Sequence, residues 1–140
     1  IDGAVQFPII FELTQSQGAE ARTQVVAAYK RPSDADSANW VCSEYFVSGW
    51  IPATSERAPL PLALDLGGLY EQLLHRLVPI APRTQEPLRD LIARTEAAMT
   101  KAKEVAKAEA RLAKEKQFNR KVEINATLRQ LKTELEQLSR

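Results

Sequence analysis

Residues 114–138 read KEKQFNRKVEINATLRQLKTELEQL, and the interpretation of this stretch decides the architecture. Its later part places Ile124, Leu128, Leu131, Leu135 and Leu138 at steps of four, three, four and three, the apolar seam of a helix that packs on another helix. Its opening, KEKQFNRK over 114–121, breaks that rhythm, with Phe118 and Val122 on a different phase. Upstream of the break, Leu88, Ile92, Thr95, Met99, Ala102 and Ala106 form a first heptad seam. After Pro87 there is neither Gly nor Pro, and Ala, Glu, Lys, Leu, Arg and Gln dominate, all good helix formers. An interrupted seam suits either a stutter in one rod or the bend of an antiparallel hairpin. The absence of Gly and Pro at the break favours the rod. About 50 residues of helix would reach roughly 75–80 Å, too long to pack inside one globule. Such a rod has to project, fold back, or pair with another chain.

Before this helical region the chain reads as β structure. Ile9, Ile10, Phe11 and Leu13 form a buried-strand run entered at Pro8. Residues 15–21 are polar with a Gly and read as a loop. Val25, Val26, Ala27 and Tyr29 mark a second strand over 23–31, and the turn formers PSDADSAN fill 32–39. The aromatic and β-branched run 40–47 is a third strand. Short connections favour an antiparallel meander. Residues 49–64, with Pro52, Pro59 and Pro61, read as a crossing loop. A helix is expected over 66–78, with Asp65 as its N-cap, Leu66, Leu69, Tyr70, Leu73, Leu74 and Leu77 on one face, and Pro79 as its stop. It would cover the sheet. Gly67 and Gly68 weaken its first turn by roughly 1 kcal/mol each relative to Ala. The expected class is therefore α+β: a small antiparallel sheet with a covering helix over residues 1–82, then a long C-terminal helix or coiled coil over 83–140.

Composition excludes more than it asserts. In 140 residues, 19 basic and 18 acidic side chains leave a net charge of +1, which argues against a globally basic nucleic-acid binder or an acidic tail. A single Cys excludes an internal disulfide framework and a multi-Cys zinc site, and a single His excludes schemes needing two imidazoles. Charge is nevertheless unevenly spread. Residues 1–65 hold four basic and eight acidic side chains, whereas residues 100–121 hold eight basic and three acidic. The chain opens at Ile1 in what already reads as strand, so a fragment or processed chain is expected. With no leader pattern and no long uncharged apolar run, a cytoplasmic location is expected, and a reduced Cys42 fits it.

Few residues suggest chemistry. His75 with Glu71 four residues earlier lacks a nucleophile, and reads as a boundary histidine. Cys42 has no cationic neighbour to activate it and reads as a small core residue. Asp34 and Asp36 read as a solvated turn, since no EF-hand spacing follows. Glu12 and Glu20 lack the basic partner of a nuclease site. Candidates for phosphate contact are Lys30 and Arg31 at a strand end, and Lys103, Lys107, Arg111 and Lys114, which step by four, four and three into one helical stripe. Glu104, Glu109 and Glu115 interleave with that stripe and soften its field. No catalytic, cofactor or metal residues are expected.

Residues 115–138 resemble the C-terminal signature of domain-of-unknown-function family 4391, a bacterial family whose tail reads close to KE-x-QFNRKVELN followed by L-x-x-L-x-x-EL. Gln117, Phe118, Asn119, Arg120, Lys121, Val122, Glu123 and Asn125 match, with Ile124 in place of Leu. Ala28-Tyr29-Lys30-Arg31 resembles the family's A-H-K-R, Ser48-Gly49-Trp50 its T-x-W, and Leu66, Leu69 and Tyr70 its N-L-Y-x-x-Y helix with Asp65 in the Asn place. The resemblance implies an α+β head, a C-terminal coiled coil, and a further N-terminal part before Ile1. It also implies an accessory subunit in a bacterial DNA-modification or phage-defence system, with helicase or methyltransferase subunits as partners. Gln117, Phe118, Asn119, Arg120 and Asn125, which interrupt the seams, are the expected docking residues. A non-catalytic interaction subunit that dimerises or docks through its helix is the expected function. The alternatives are a DNA-binding accessory that uses the basic stripe, or part of a nuclease or hydrolase whose site lies in the N-terminal part.

Overall fold

The computed structural model describes residue 5 and residues 7–17, 20–36 and 39–140. They form two compact units, residues 1–79 and 80–140. The class is α+β, as expected.

In the first unit, β1 (Ile10–Gln17), β2 (Glu20–Pro32) and β3 (Trp40–Val47) form an antiparallel meander with β2 in the middle. Of the loop expected over 15–21, residues 15–17 and 20–21 are strand, and residues 18 and 19 lie outside the described residues. Gln15 pairs with Arg22, Ser16 with Ala21 and Gln17 with Glu20. Polarity there marks strand ends in water, not departure from the ladder. Pro52 belongs to a short strand, β4 (Ile51–Pro52), that pairs with Thr23 and Arg22 of β2. The crossing loop expected from residue 49 therefore begins later. β4 continues the path of β3 along the same edge of β2, and Ser48 carries the join. Its N–H donates to the Val25 carbonyl at 2.9 Å, its hydroxyl accepts the Val25 N–H at 2.9 Å, and its carbonyl accepts from Gln24 Nε2 at 2.8 Å.

The β2–β3 register shifts between Ala28↔Tyr45 and Lys30↔Cys42, so Ser43 and Glu44 together oppose Tyr29. A bulge of this kind orphans backbone groups. Two side chains satisfy them: Tyr29 N–H donates to Ser43 Oγ at 2.8 Å, and the Tyr70 hydroxyl donates to the Ala28 carbonyl.

Tyr70 belongs to α1 (Leu66–His75), the covering helix. Asp65 caps it as expected: its backbone is extended and its Oδ1 accepts the Gly68 N–H at 2.7 Å. A Cβ on Gly67 would meet Asp65 Oδ1 at 3.2 Å, so the glycine leaves room for the cap that offsets its helix cost. The regular helix ends at His75, earlier than Pro79 suggests, but Leu77 and Val78 still donate to the Leu74 carbonyl. Thr23, Ala27, Ala28, Lys30, Phe46, Leu74 and Val78 are buried. Cys42, expected in the core, is exposed on β3, because this stretch of β3 leaves its side chains in solvent on either side of the bulge.

The second unit overturns the rod. Two helices, α2 (Leu88–Lys114) and α3 (Phe118–Ser139), pack antiparallel. Lys101 pairs with Glu134 at 3.0 Å, Glu109 with Lys132 at 2.7 Å, and Arg94 Nη1 donates to the Leu138 carbonyl at 2.7 Å. Neither Gly nor Pro makes the bend. Glu115 and Gln117 are extended, and Glu115 Oε1 accepts the N–H groups of Lys116 at 2.8 Å and Gln117 at 2.9 Å. A carboxylate gathers the amides that a continuing helix would have used. It also stands beside the positive end of α3.

The seam of α3 is the expected one, with Leu128 buried and Ile124, Leu131, Leu135 and Leu138 half-buried. The seam of α2 begins as expected, with Leu88, Ile92 and Thr95 buried and Met99 half-buried, and then shifts in phase. Leu91, Ala98 and Val105 are buried at steps of seven, with Arg94 and Lys101 between them, whereas Ala102 and Ala106 are exposed. Reading hydrophobicity alone passes over Arg94 and Lys101, whose charges are neutralised by acidic partners.

Candidate functional site

The residues expected to dock lie together at the bend of the hairpin. Gln117 is the N-cap position of α3 and Phe118 its first residue. Phe118 is 76% exposed, and Val122, one turn on, is 53% exposed. Gln117, Asn119, Arg120 and Asn125 are exposed around them. The hairpin pulls this segment off the seam and presents it as a tip: an apolar pair rimmed by amides and a guanidinium. Glu115 beneath the tip is held below the usual carboxylate range, by the Gln117 and Lys116 N–H groups first, with Arg120 and Lys121 adding to the effect.

The seam residues Ile124, Leu128, Leu131, Leu135 and Leu138 are placed differently, since they line the side of α3 that packs on α2 of the same chain. The candidate phosphate contacts separate into two groups. Lys30 is buried and donates to the Val5 carbonyl, while Arg31 pairs with Asp34 at 3.2 Å. Both cations are engaged within the head. Lys103, Lys107, Arg111 and Lys114 are exposed along α2.

At the open end of the hairpin is a cluster that the sequence reading missed. Arg94 donates from Nε to Glu86 Oε1 at 2.8 Å and from Nη2 to Glu86 Oε2 at 2.7 Å. It also reaches the carbonyls of Ala81 at 2.8 Å and Leu138 at 2.7 Å. Arg83 donates its N–H to Glu86 at 2.9 Å and its guanidinium to the Gln137 carbonyl at 2.7 Å. The Arg94 bonds, then the Arg83 N–H, pull the Glu86 carboxyl down to about 2. Arg94 thereby ties the end of α3, whose last carbonyls are otherwise orphaned, to the segment that leads into α2. The Glu86–Arg94 separation of eight has no local periodicity to announce it. The cluster is saturated by its own bonds and organises structure.

His75 ends α1 and its buried Nδ1 has no hydrogen-bond partner. Asp34 and Asp36 are exposed in the turn after β2, where Asp36 accepts from the Asn39 amide at 2.8 Å. Glu12 forms a two-pronged pair with Arg57, 45 residues away, and its carboxyl is lowered by those bonds. Glu20 lies 3.7 Å from Arg22. Among the described residues, no three His, Cys, Asp or Glu side chains are grouped to hold a metal ion, and no helix is long and apolar enough to cross a membrane.

A family model described as domain of unknown function (DUF4391) matches residues 1–135. No curated protein and no solved structure matches the chain.

Proposed function

Because this chain belongs to the DUF4391 family, we propose that it is a non-catalytic docking subunit that grips a protein partner with the tip of its α2–α3 hairpin. The observation that carries this reading is Phe118, 76% exposed at the bend with Val122 beside it. An aromatic anchor with an apolar neighbour and a polar rim containing Arg is the composition of an interface hot spot. Gln117, Asn119, Arg120 and Asn125 would supply that rim, and the hydrogen bonds that set orientation. The leucine seam of α3 is occupied by α2, so the grip is assigned to the tip and not to the seam. The setting, a bacterial DNA-modification or defence assembly with a helicase or methyltransferase subunit as partner, rests on the resemblance of residues 115–138 to the family signature.

A photo-crosslinking residue placed at Phe118, and separately at exposed Ala97 on α2, tests the reading in cells. A discrete adduct from position 118, absent from position 97 and lost when Arg120→Ala is added, supports it. The same adducts from both positions, or none from 118, would remove it.

A further inference from the structure

The hairpin sorts the cations of α2 into two sets. Those near the seam are paired: Lys101 with Glu104 at 2.8 Å and with Glu134 at 3.0 Å, while on α3 Lys132 is paired with Glu109 at 2.7 Å. Lys103, Lys107 and Lys114 lie away from the seam, and Arg111 follows at its margin, where it lines a shallow pocket with Ala108 and with Glu123, Ile124 and Thr127 of α3. At 100° per residue the three lysines fall roughly opposite Leu91, Ala98 and Val105. All four are exposed, and among the described residues no ion pair reaches them.

In sequence, Glu104, Glu109 and Glu115 interleave with this stripe and look able to quench it. In the fold each is committed elsewhere: Glu104 to Lys101, Glu109 to Lys132, and Glu115 to the N–H groups of Lys116 and Gln117. None of these acids forms an ion pair with the four cations, so each cation is free to meet a phosphate. The four recur about every 6 Å and span about 16 Å along a rigid helix. α2 carries no aromatic residue, so the stripe has no platform on which unpaired bases stack.

We propose that this face of α2 is a rail for the phosphate backbone of duplex nucleic acid, binding by charge and independently of base sequence. It uses none of the residues of the docking tip, so the two readings stand or fall separately. Four phosphate contacts give a slope of log K against log salt of about −3.6, or roughly a hundredfold loss between about 50 and about 200 mM salt.

The test is fluorescence anisotropy of the full chain with a labelled mixed-sequence duplex of about 20 base pairs across that salt range. The expected result is that steep slope, with weaker binding to either single strand. The combined variant Lys103→Gln, Lys107→Gln, Arg111→Gln and Lys114→Gln loses binding. Each single substitution flattens the slope by about 0.9, which keeps the test decisive should the combined variant fail to fold. Lys132→Gln, at a paired position, and Phe118→Ala, at the tip, leave the slope in place. No duplex binding at the lowest salt overturns the rail. So does a slope indifferent to these four residues, or tighter binding to phosphatidylserine vesicles than to the duplex.

Discussion

Arg94 and Glu86 face each other through two parallel charge-assisted hydrogen bonds, 2.8 and 2.7 Å long, with both side chains less than a tenth exposed. The planar guanidinium fork matches the carboxylate and still has donors for the Ala81 and Leu138 carbonyls. One side chain thus closes the open end of the hairpin.

The pair makes stability depend on pH in a definite direction. Glu86 is lowered from its ordinary 4.5 to about 2. A carboxyl depressed in the folded state contributes its stabilisation in full above its unfolded value, and loses it as pH falls from about 4.5 through about 2. Glu86→Gln should therefore melt well below the wild type at pH 7 and close to it near pH 2. Thermal midpoints at the two pH values check this, and an unchanged gap would contradict it.

Two adjacent positions on α2 test the phase of the seam. Val105 is buried and Ala106 exposed. Val105→Glu buries a charge with no partner and should cost about 3 kcal/mol, whereas Ala106→Glu should change stability by no more than about 0.5 kcal/mol. Urea denaturation separates them. The reverse order would restore the seam through Ala102 and Ala106.

The bulge in β3 gives a sharper local test. Ser43→Ala leaves the Tyr29 N–H without its acceptor and should cost about 1–2 kcal/mol. Ser43→Thr keeps the hydroxyl and should recover most of it. Amide exchange at Tyr29 should quicken in the alanine variant alone.

Glu115 decides whether the two helices fold back on each other. Glu115→Ala removes the acceptor for two N–H groups and puts the best helix former at the bend. Continuous helices should then expose the leucine seam and pair between chains, raising self-association on the order of tenfold. Light scattering with small-angle X-ray scattering should show a heavier, longer particle than the wild type at equal concentration. Unchanged mass and length would mean that the bend is held by the seam alone.

Much of the head could be read directly. The meander, the Asp65 cap and the helix behind it follow from local rules, because strand alternation, turn composition and capping each act within a few residues. Failures occurred where a polar side chain had a distant partner. Gln15 and Ser16 read as loop because solvated strand ends look like loops. Ser48 and Ser43 repair the sheet through bonds to Val25 and Tyr29, 23 and 14 residues away, and nothing near them in sequence marks that role.

The hairpin shows the same division. The amino-acid sequence alone established that the chain after Pro87 is mainly helical, that Ile124, Leu128, Leu131, Leu135 and Leu138 need a partner, and that residues 114–121 break the seam rhythm. Periodicity and propensity are local quantities. Tertiary structure decided that the partner is α2 of the same chain, that Arg94 and Lys101 stand in its seam, and that, among the described residues, no ion pair reaches Lys103, Lys107, Arg111 or Lys114. Those outcomes depend on which charges meet across the hairpin, a property of three-dimensional distance that no spacing along the chain encodes.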